Sequence, residues 1–251
     1  MIRSERLYGG AVVRLVLDRP KANLLDLEMI RGISNKLDED VGAGTKLVIF
    51  EGAGGHFSFG ASVKEHEKAQ ARQMLEAFHG LFRKLAELAV PTCALIRGQC
   101  LGGGLELASW CSMVAASPEA RLGQPEIQLA VFAPMASLLL PWRVGGGAAL
   151  DLLVTGRSVT AEEALRLRLV DAVTENLEGW WRSRYEAHMA GASAIALRFG
   201  ERAARASLMA SMRRDLPELE RLYLEGLMET HDANEGIAAF LEKRRPDYQN
   251  R

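Results

Sequence analysis

Long apolar runs are missing from this 251-residue sequence, and none approaches the roughly 18 consecutive apolar residues of a membrane span. The opening MIRSERLYGG carries no apolar signal block, so the expectation is a cytoplasmic protein with no membrane partner. An excess of one charge is missing too: 31 Lys plus Arg face 32 Asp plus Glu, a net −1. No bulk field draws such a chain to nucleic acid, and an anionic ligand has to be met locally. Cysteine is scarce. Cys93, Cys100 and Cys111 lack CxxC spacing and sit among apolar neighbours, the pattern of reduced structural thiols. The histidines His56, His66, His79, His188 and His231 form no HExxH, and no GxSxG, GxGxxG or GxxxxGK[ST] occurs. Metal hydrolysis, serine nucleophiles and those forms of nucleotide binding lose support. His66 alone is kept as a candidate for a pocket edge.

What is present is the balance of a globular protein, 48% hydrophobic and 25% charged. Residues 11–17, AVVRLVL, read as a β-strand stopped by Asp18-Arg19-Pro20. Leu24, Leu27, Ile30, Ile33 and Leu37 recur at helical spacing, and so do Met74, Phe78, Leu81, Phe82, Leu85 and Leu88 before Pro91. Residues 47–50, 92–97 and 113–116 read as further strands. Strands alternating with helices predict an α/β fold with parallel pairing. From about Pro134 the chain reads as almost wholly helical. Thr160 and Glu163 there form a capping box. A soft boundary near residue 190 separates an α/β core, residues 1–190, from a helical region, residues 191–251.

Two Gly-rich segments follow strands. Gly102-Gly103-Gly104 at a helix start costs roughly 0.5–1 kcal/mol per Gly relative to Ala, so a ligand or a packed neighbour must need the bare backbone there. A helix start also presents unpaired N–H groups suited to a phosphate or a developing oxyanion. The second segment, residues 52–62, is a surface loop unless it aims an N–H at the same place; ligands in open α/β folds gather at such strand ends. Glu106 sits in an apolar helix, where a carboxylate is costly unless it works or pairs with an arginine. Glu126 follows Pro125 and is either a solvated helix start or a second carboxylate facing the same pocket. Two such groups with separated pKa values can move protons and water.

The stretch PTCALIRGQCLGGGLELA from Pro91, continued by Gly123-Gln124-Pro125-Glu126-Ile127, resembles the crotonase superfamily of enoyl-CoA hydratases and isomerases, as do Leu153-Val154-Thr155-Gly156-Arg157 and the segment from Glu235 to Pro246. The resemblance runs from about residue 8 to the end. It implies a crotonase-like spiral of ββα units with a helical C-terminal trimerisation region, and an acyl-CoA substrate with no separate cofactor and no metal. It also implies an oxyanion hole from the N–H groups of Ala61 and Gly103, and Glu106 and Glu126 as the hydratase glutamates. Coenzyme A would lie near Lys21 and Ala22 and along Ala61, Ser62 and Val63, beside Gly102 and Gly103. Lys243 would be a further phosphate contact, and the assembly a homotrimer or dimer of trimers.

After Glu126 the sequence departs from the family's Gly-rich LGxxPGxGGT and reads LAVFAPMAS, residues 129–137. Bulky groups including Phe132 then stand beside the acyl pocket. That departure, together with residues 59–66, is similar to the alicyclic dienoyl-CoA hydratases of anaerobic aromatic degradation, which hydrate cyclohexa-1,5-diene-1-carbonyl-CoA. The alternatives are a general enoyl-CoA hydratase or isomerase of open-chain substrates, or a non-catalytic binding protein on the same fold.

Overall fold

A computed structural model of the chain describes residues 1–19 and 21–251. Pro20 of the expected turn lies outside the described residues. The chain begins with a hairpin, β1 (Ile2–Leu7) and β2 (Val12–Leu17), followed by α1 (Leu27–Asp40), β3 (Leu47–Gly52), α2 (Lys68–Leu88), β4 (Thr92–Ile96), β5 (Gln99–Leu101), α3 (Gly103–Trp110), β6 (Met113–Ala116) and β7 (Arg121–Gly123). Helices then dominate: α4 (Pro134–Val144), α5 (Gly146–Thr155), β8 (Ser158–Thr160), α6 (Ala161–Arg166), β9 (Ala172–Val173), α7 (Leu177–His188), α8 (Ala194–Ala204), α9 (Ala206–Arg221) and α10 (His231–Leu241).

The main sheet has the order β1-β2-β3-β4-β6-β9. Only its β1 edge pairs antiparallel. Its alternating side chains serve two cores, as the period of two in a strand requires. Val13, Leu15, Val48, Phe50 and Ala94 face α1, α2 and α3, whereas Val12, Leu47, Ile49 and Leu95 face Trp181 and Tyr185 of α7. A second sheet, β5-β7-β8, stands beside the first.

The parallel α/β reading holds. β1 was missed, because IRSERL carries too much charge to look like a strand. The three-residue strands β5, β7 and β8 and the two-residue β9 were missed because they are too short to show a period. The first helix starts at Leu27 rather than Leu24, since the Asp26 side chain caps it by accepting from Met29 N–H at 3.0 Å. Thr160 caps α6 through Glu163 N–H at 3.2 Å. All three cysteines are free and buried. Leu208, Met212 and Leu216 of α9 belong to the main core, so the C-terminal helices pack into the α/β layer. No described helix is long and apolar enough to cross a membrane.

Candidate active site

Two loops are stitched together before any side chain is considered. Ser58 N–H donates to Gln99 O at 3.1 Å, and Leu101 N–H donates to Ser58 O at 2.9 Å. The Ser58 hydroxyl donates to Asn23 O at 2.7 Å and accepts from Gly60 N–H at 3.0 Å. The 52–60 loop is thereby fixed against β5 and the start of α3. A Cβ on Gly103 would stand 3.3 Å from Ala61 N, and one on Gly60 would stand 3.3 Å from Gly103 N. The Ala61 and Gly103 N–H groups are thus neighbours, and neither has an acceptor among the described residues. Two adjacent unpaired N–H donors, one at a helix start, can take up negative charge growing on an oxygen.

The Gly triplet answers three separate contacts, so close packing and site building are both at work. At position 102 a Cβ would meet Glu126 Oε1 at 2.7 Å, at 103 the Phe78 ring at 3.1 Å, and at 104 Ser58 Cβ at 2.7 Å. Gly102 also holds φ +52° and ψ −127°, which disfavours any side chain.

Glu106 lies on α3 and Glu126 on the short 3-10 turn Pro125–Leu129, and both line one cavity. Glu106 Oε1 accepts from Ala136 N–H at 2.7 Å. Pro134 opens α4 at its first turn, so the Glu106 carboxylate takes one of the unpaired N–H groups of that helix. The arginine pairing considered for Glu106 does not occur; among the described residues no cation offsets either carboxylate. Glu126 is not a solvated helix start. Its Oε1 accepts from Gln124 Nε2 at 3.1 Å, and its Oε2 is buried without a partner. Burial pushes both carboxyls above the ordinary carboxylate range, and for Glu106 the charge of Glu126 adds to the rise. Near neutral pH the pair therefore holds one proton between two carboxyls, an acid beside a base.

The cavity is also lined by Ala61, His66, Phe132, Ala133 and Pro134. The sequence-predicted oxyanion donors, glutamates and bulky replacement segment are thus brought together. His66 does stand at the edge, its Nδ1–H donating to Ser62 O at 2.9 Å and its charged form disfavoured by burial. Ser62 and Val63 begin the turn Val63–His66 directly after Ala61. Ala22 O accepts from Phe59 N–H at 2.9 Å, which ties the exposed Lys21 and its neighbour to the same loop. Lys243 stands apart, exposed beyond α10 and outside the cavity lining.

Sequence reasoning missed Met74, Phe78 and His79 on α2 and, from the C-terminal region, Tyr223. The α2 residues read as ordinary core stripe. Tyr223 sits in a π-turn, Leu222–Gly226, that follows α9; this irregularity, which is enriched at functional sites, has no signature in the sequence. At about 20 Å³ the cavity has room for about one water.

The fold is that of the crotonases, and the chain belongs to the enoyl-CoA hydratase/isomerase family, whose model matches residues 8–251. It is 47% identical over 243 residues to cyclohexa-1,5-dienecarbonyl-CoA hydratase of Thauera aromatica, covering 96% of this chain and 94% of that one. It is 32% identical over 254 residues to a probable enoyl-CoA hydratase of Bacillus subtilis, covering 95% of each. Among solved structures, the enoyl-CoA hydratase of Bacillus anthracis superposes with a TM-score of 0.77 at 31% identity, over 100% of this chain and 99% of that one.

Proposed function

We propose that the protein is a hydro-lyase that adds water to cyclohexa-1,5-diene-1-carbonyl-CoA, giving 6-hydroxycyclohex-1-ene-1-carbonyl-CoA. The observation that carries this reading is the meeting of two unpaired N–H groups with two buried carboxyls that no cation offsets, beside a cavity walled by Phe132, Ala133 and Pro134. The 47% identity to a dienoyl-CoA hydratase supports the cyclic substrate.

In this reading the thioester oxygen lies between Ala61 N–H and Gly103 N–H. In the reactive arrangement the shared proton sits on Glu126, and Glu106 takes a proton from water as its oxygen bonds to the ring carbon beta to the thioester. The diene electrons shift onto the thioester oxygen, where one good donor contributes about 2.7–4 kcal/mol. Glu126 delivers a proton to the carbon across the ring, and the new double bond stays conjugated with the carbonyl. One water is consumed, and the carboxyls exchange protonation states. Coenzyme A would follow the Lys21–Ala22 edge and Ala61, Ser62 and Val63; it enters as part of the substrate, and no separate cofactor is needed. Lys243, exposed beyond α10, is read as a further contact of its phosphates.

Exposed Leu150 and Val154 on α5, and Ile195 and Phe199 on α8, support self-association of the chain, read as a homotrimer or dimer of trimers with residues 191–251 contributing. Sedimentation of the purified protein tests that assembly, and a monomer at micromolar concentration contradicts it. The activity is tested by incubating the diene thioester in ¹⁸O-labelled water. The expected product is heavier by one labelled water, and an unlabelled isomer of the substrate contradicts hydration.

A further inference from the structure

Tyr223 takes no part in the reaction just described, yet it lines the cavity that holds both glutamates. Its side chain is buried and its hydroxyl has no hydrogen-bond partner, a costly arrangement unless something is met there. Two features fix the ring. It stacks edge-on against Phe132, with centroids 5.5 Å apart, and it packs among Met74, Leu75 and Val131. Its phenol is kept protonated by burial and by the charges of Glu126 and Glu106, which places the hydroxyl within electrostatic reach of both.

The other titratable groups on the cavity wall cannot do what this hydroxyl can. His79 on α2 sends Nδ1–H to Glu220 of α9 at 2.6 Å, and its buried Nε2 lacks a proton. Burial keeps that imidazole neutral, although Glu220 acts against the shift. His66 likewise spends Nδ1–H on Ser62 O and is held neutral. Apart from whichever carboxyl carries the shared proton, Tyr223 is the one side chain lining the cavity that offers both an O–H donor and acceptor lone pairs. A buried water needs 2–4 polar partners. Glu126 Oε2 and the Tyr223 hydroxyl are both unpartnered at a cavity of about 20 Å³.

We propose that the Tyr223 hydroxyl is the third hydrogen-bonding partner of the attacking water, holding it between Glu106 and Glu126 while Phe132 fixes the phenol ring. This rests on the hydratase reading above. The phenol neither gains nor loses its proton; it restricts the water to the orientation from which Glu106 removes one hydrogen. Its position on the π-turn after α9 makes the C-terminal region part of the reaction chamber.

The test is Tyr223→Phe, which keeps the ring and its stack and removes one oxygen. With the diene thioester, kcat is expected to fall about 10–100-fold, the range for losing one hydrogen bond to a charged or reacting group, while KM changes less than about threefold. The acidic limb of the kcat/KM profile should move to higher pH, because the bridging water, no longer polarised by the phenol, is a weaker donor to the ionised carboxyl. A Phe132→Leu variant, which loosens the ring and keeps the hydroxyl, should move that limb in the same direction by a smaller amount. It also reports on the limb should Tyr223→Phe not fold, and a limb that stays in place in Phe132→Leu overturns the proposal. An active wild type together with a folded Tyr223→Phe of unchanged kcat and pH profile overturns this inference alone. A wild type that hydrates no conjugated thioester overturns the functional reading and this inference with it.

Discussion

Glu126 Oε1 lies against the bare Cα of Gly102, where an added Cβ would stand only 2.7 Å away. The glycine belongs to the helix start that presents the Gly103 N–H, so one backbone turn sets both the oxyanion donor and the position of a carboxylate. Gly102→Ala should therefore displace Glu126 and strain a backbone held at φ +52° and ψ −127°. The expected result is a loss of at least about 100-fold in kcat with roughly 1–3 kcal/mol of destabilisation, read by initial rates and urea unfolding. An active, fully stable variant would contradict this placement.

Glu106→Gln separates catalysis from stability. Removing a general base is expected to lower kcat by about 10²–10⁴-fold. Stability should move the other way. Both carboxyls sit above their ordinary value in the folded protein, so between about pH 4.5 and 8 the folded chain binds more protons than the unfolded chain. Their burial therefore costs progressively more stability as pH rises through that window. Glutamine carries no such cost and keeps an oxygen for Ala136 N–H. At pH 8 the variant should be more stable than wild type by about 1–3 kcal/mol, with the gap closing towards pH 4.5. Calorimetry across that range checks the sign, and a lower melting temperature at pH 8 would refute it.

The rate should need one proton on the carboxyl pair. The kcat/KM of the free enzyme is expected to be bell-shaped, with its maximum near neutral pH, where the raised carboxyl pair holds one proton. A rate still climbing at pH 10 would show that no acid from this pair is required.

How much of this was legible beforehand follows from the scale of each signal. The Gly triplet and Glu106 are contiguous in sequence, so helix-start chemistry and an unusual carboxylate could be seen together. The convergence of Glu126 depends on Gly102 N–H donating to Gly123 O at 3.0 Å, a tertiary contact that no local period encodes. The partner of Glu106 is hidden for a similar reason: Ala136 N–H reaches it because Pro134 starts a helix there, and the sequence names an arginine only as the alternative to a working carboxylate. Tyr223 was invisible because a π-turn places it and nothing in LYLEG announces one. β1 was hidden by its own charges. The parallel sheet, by contrast, announced itself through the apolar strands at residues 47–50 and 92–96, which are buried on both faces.

Ala61→Pro deletes one of the two converging donors and leaves the glutamates untouched. Loss of one such donor typically costs about 10²–10³-fold in kcat. Stopped-flow rates on a variant with an unchanged circular dichroism spectrum test this, and a loss below about fivefold would remove Ala61 from the oxyanion site.

The central proposal is chemical, that this pocket hydrates a cyclic conjugated thioester. The most direct measurement is kcat/KM for cyclohexa-1,5-diene-1-carbonyl-CoA against crotonyl-CoA under one set of conditions, with the hydrated products resolved by mass. The account predicts rapid hydration of the diene and little turnover of crotonyl-CoA. Preference for crotonyl-CoA would keep the hydratase and discard the cyclic substrate, and hydration of neither would contradict the account as a whole.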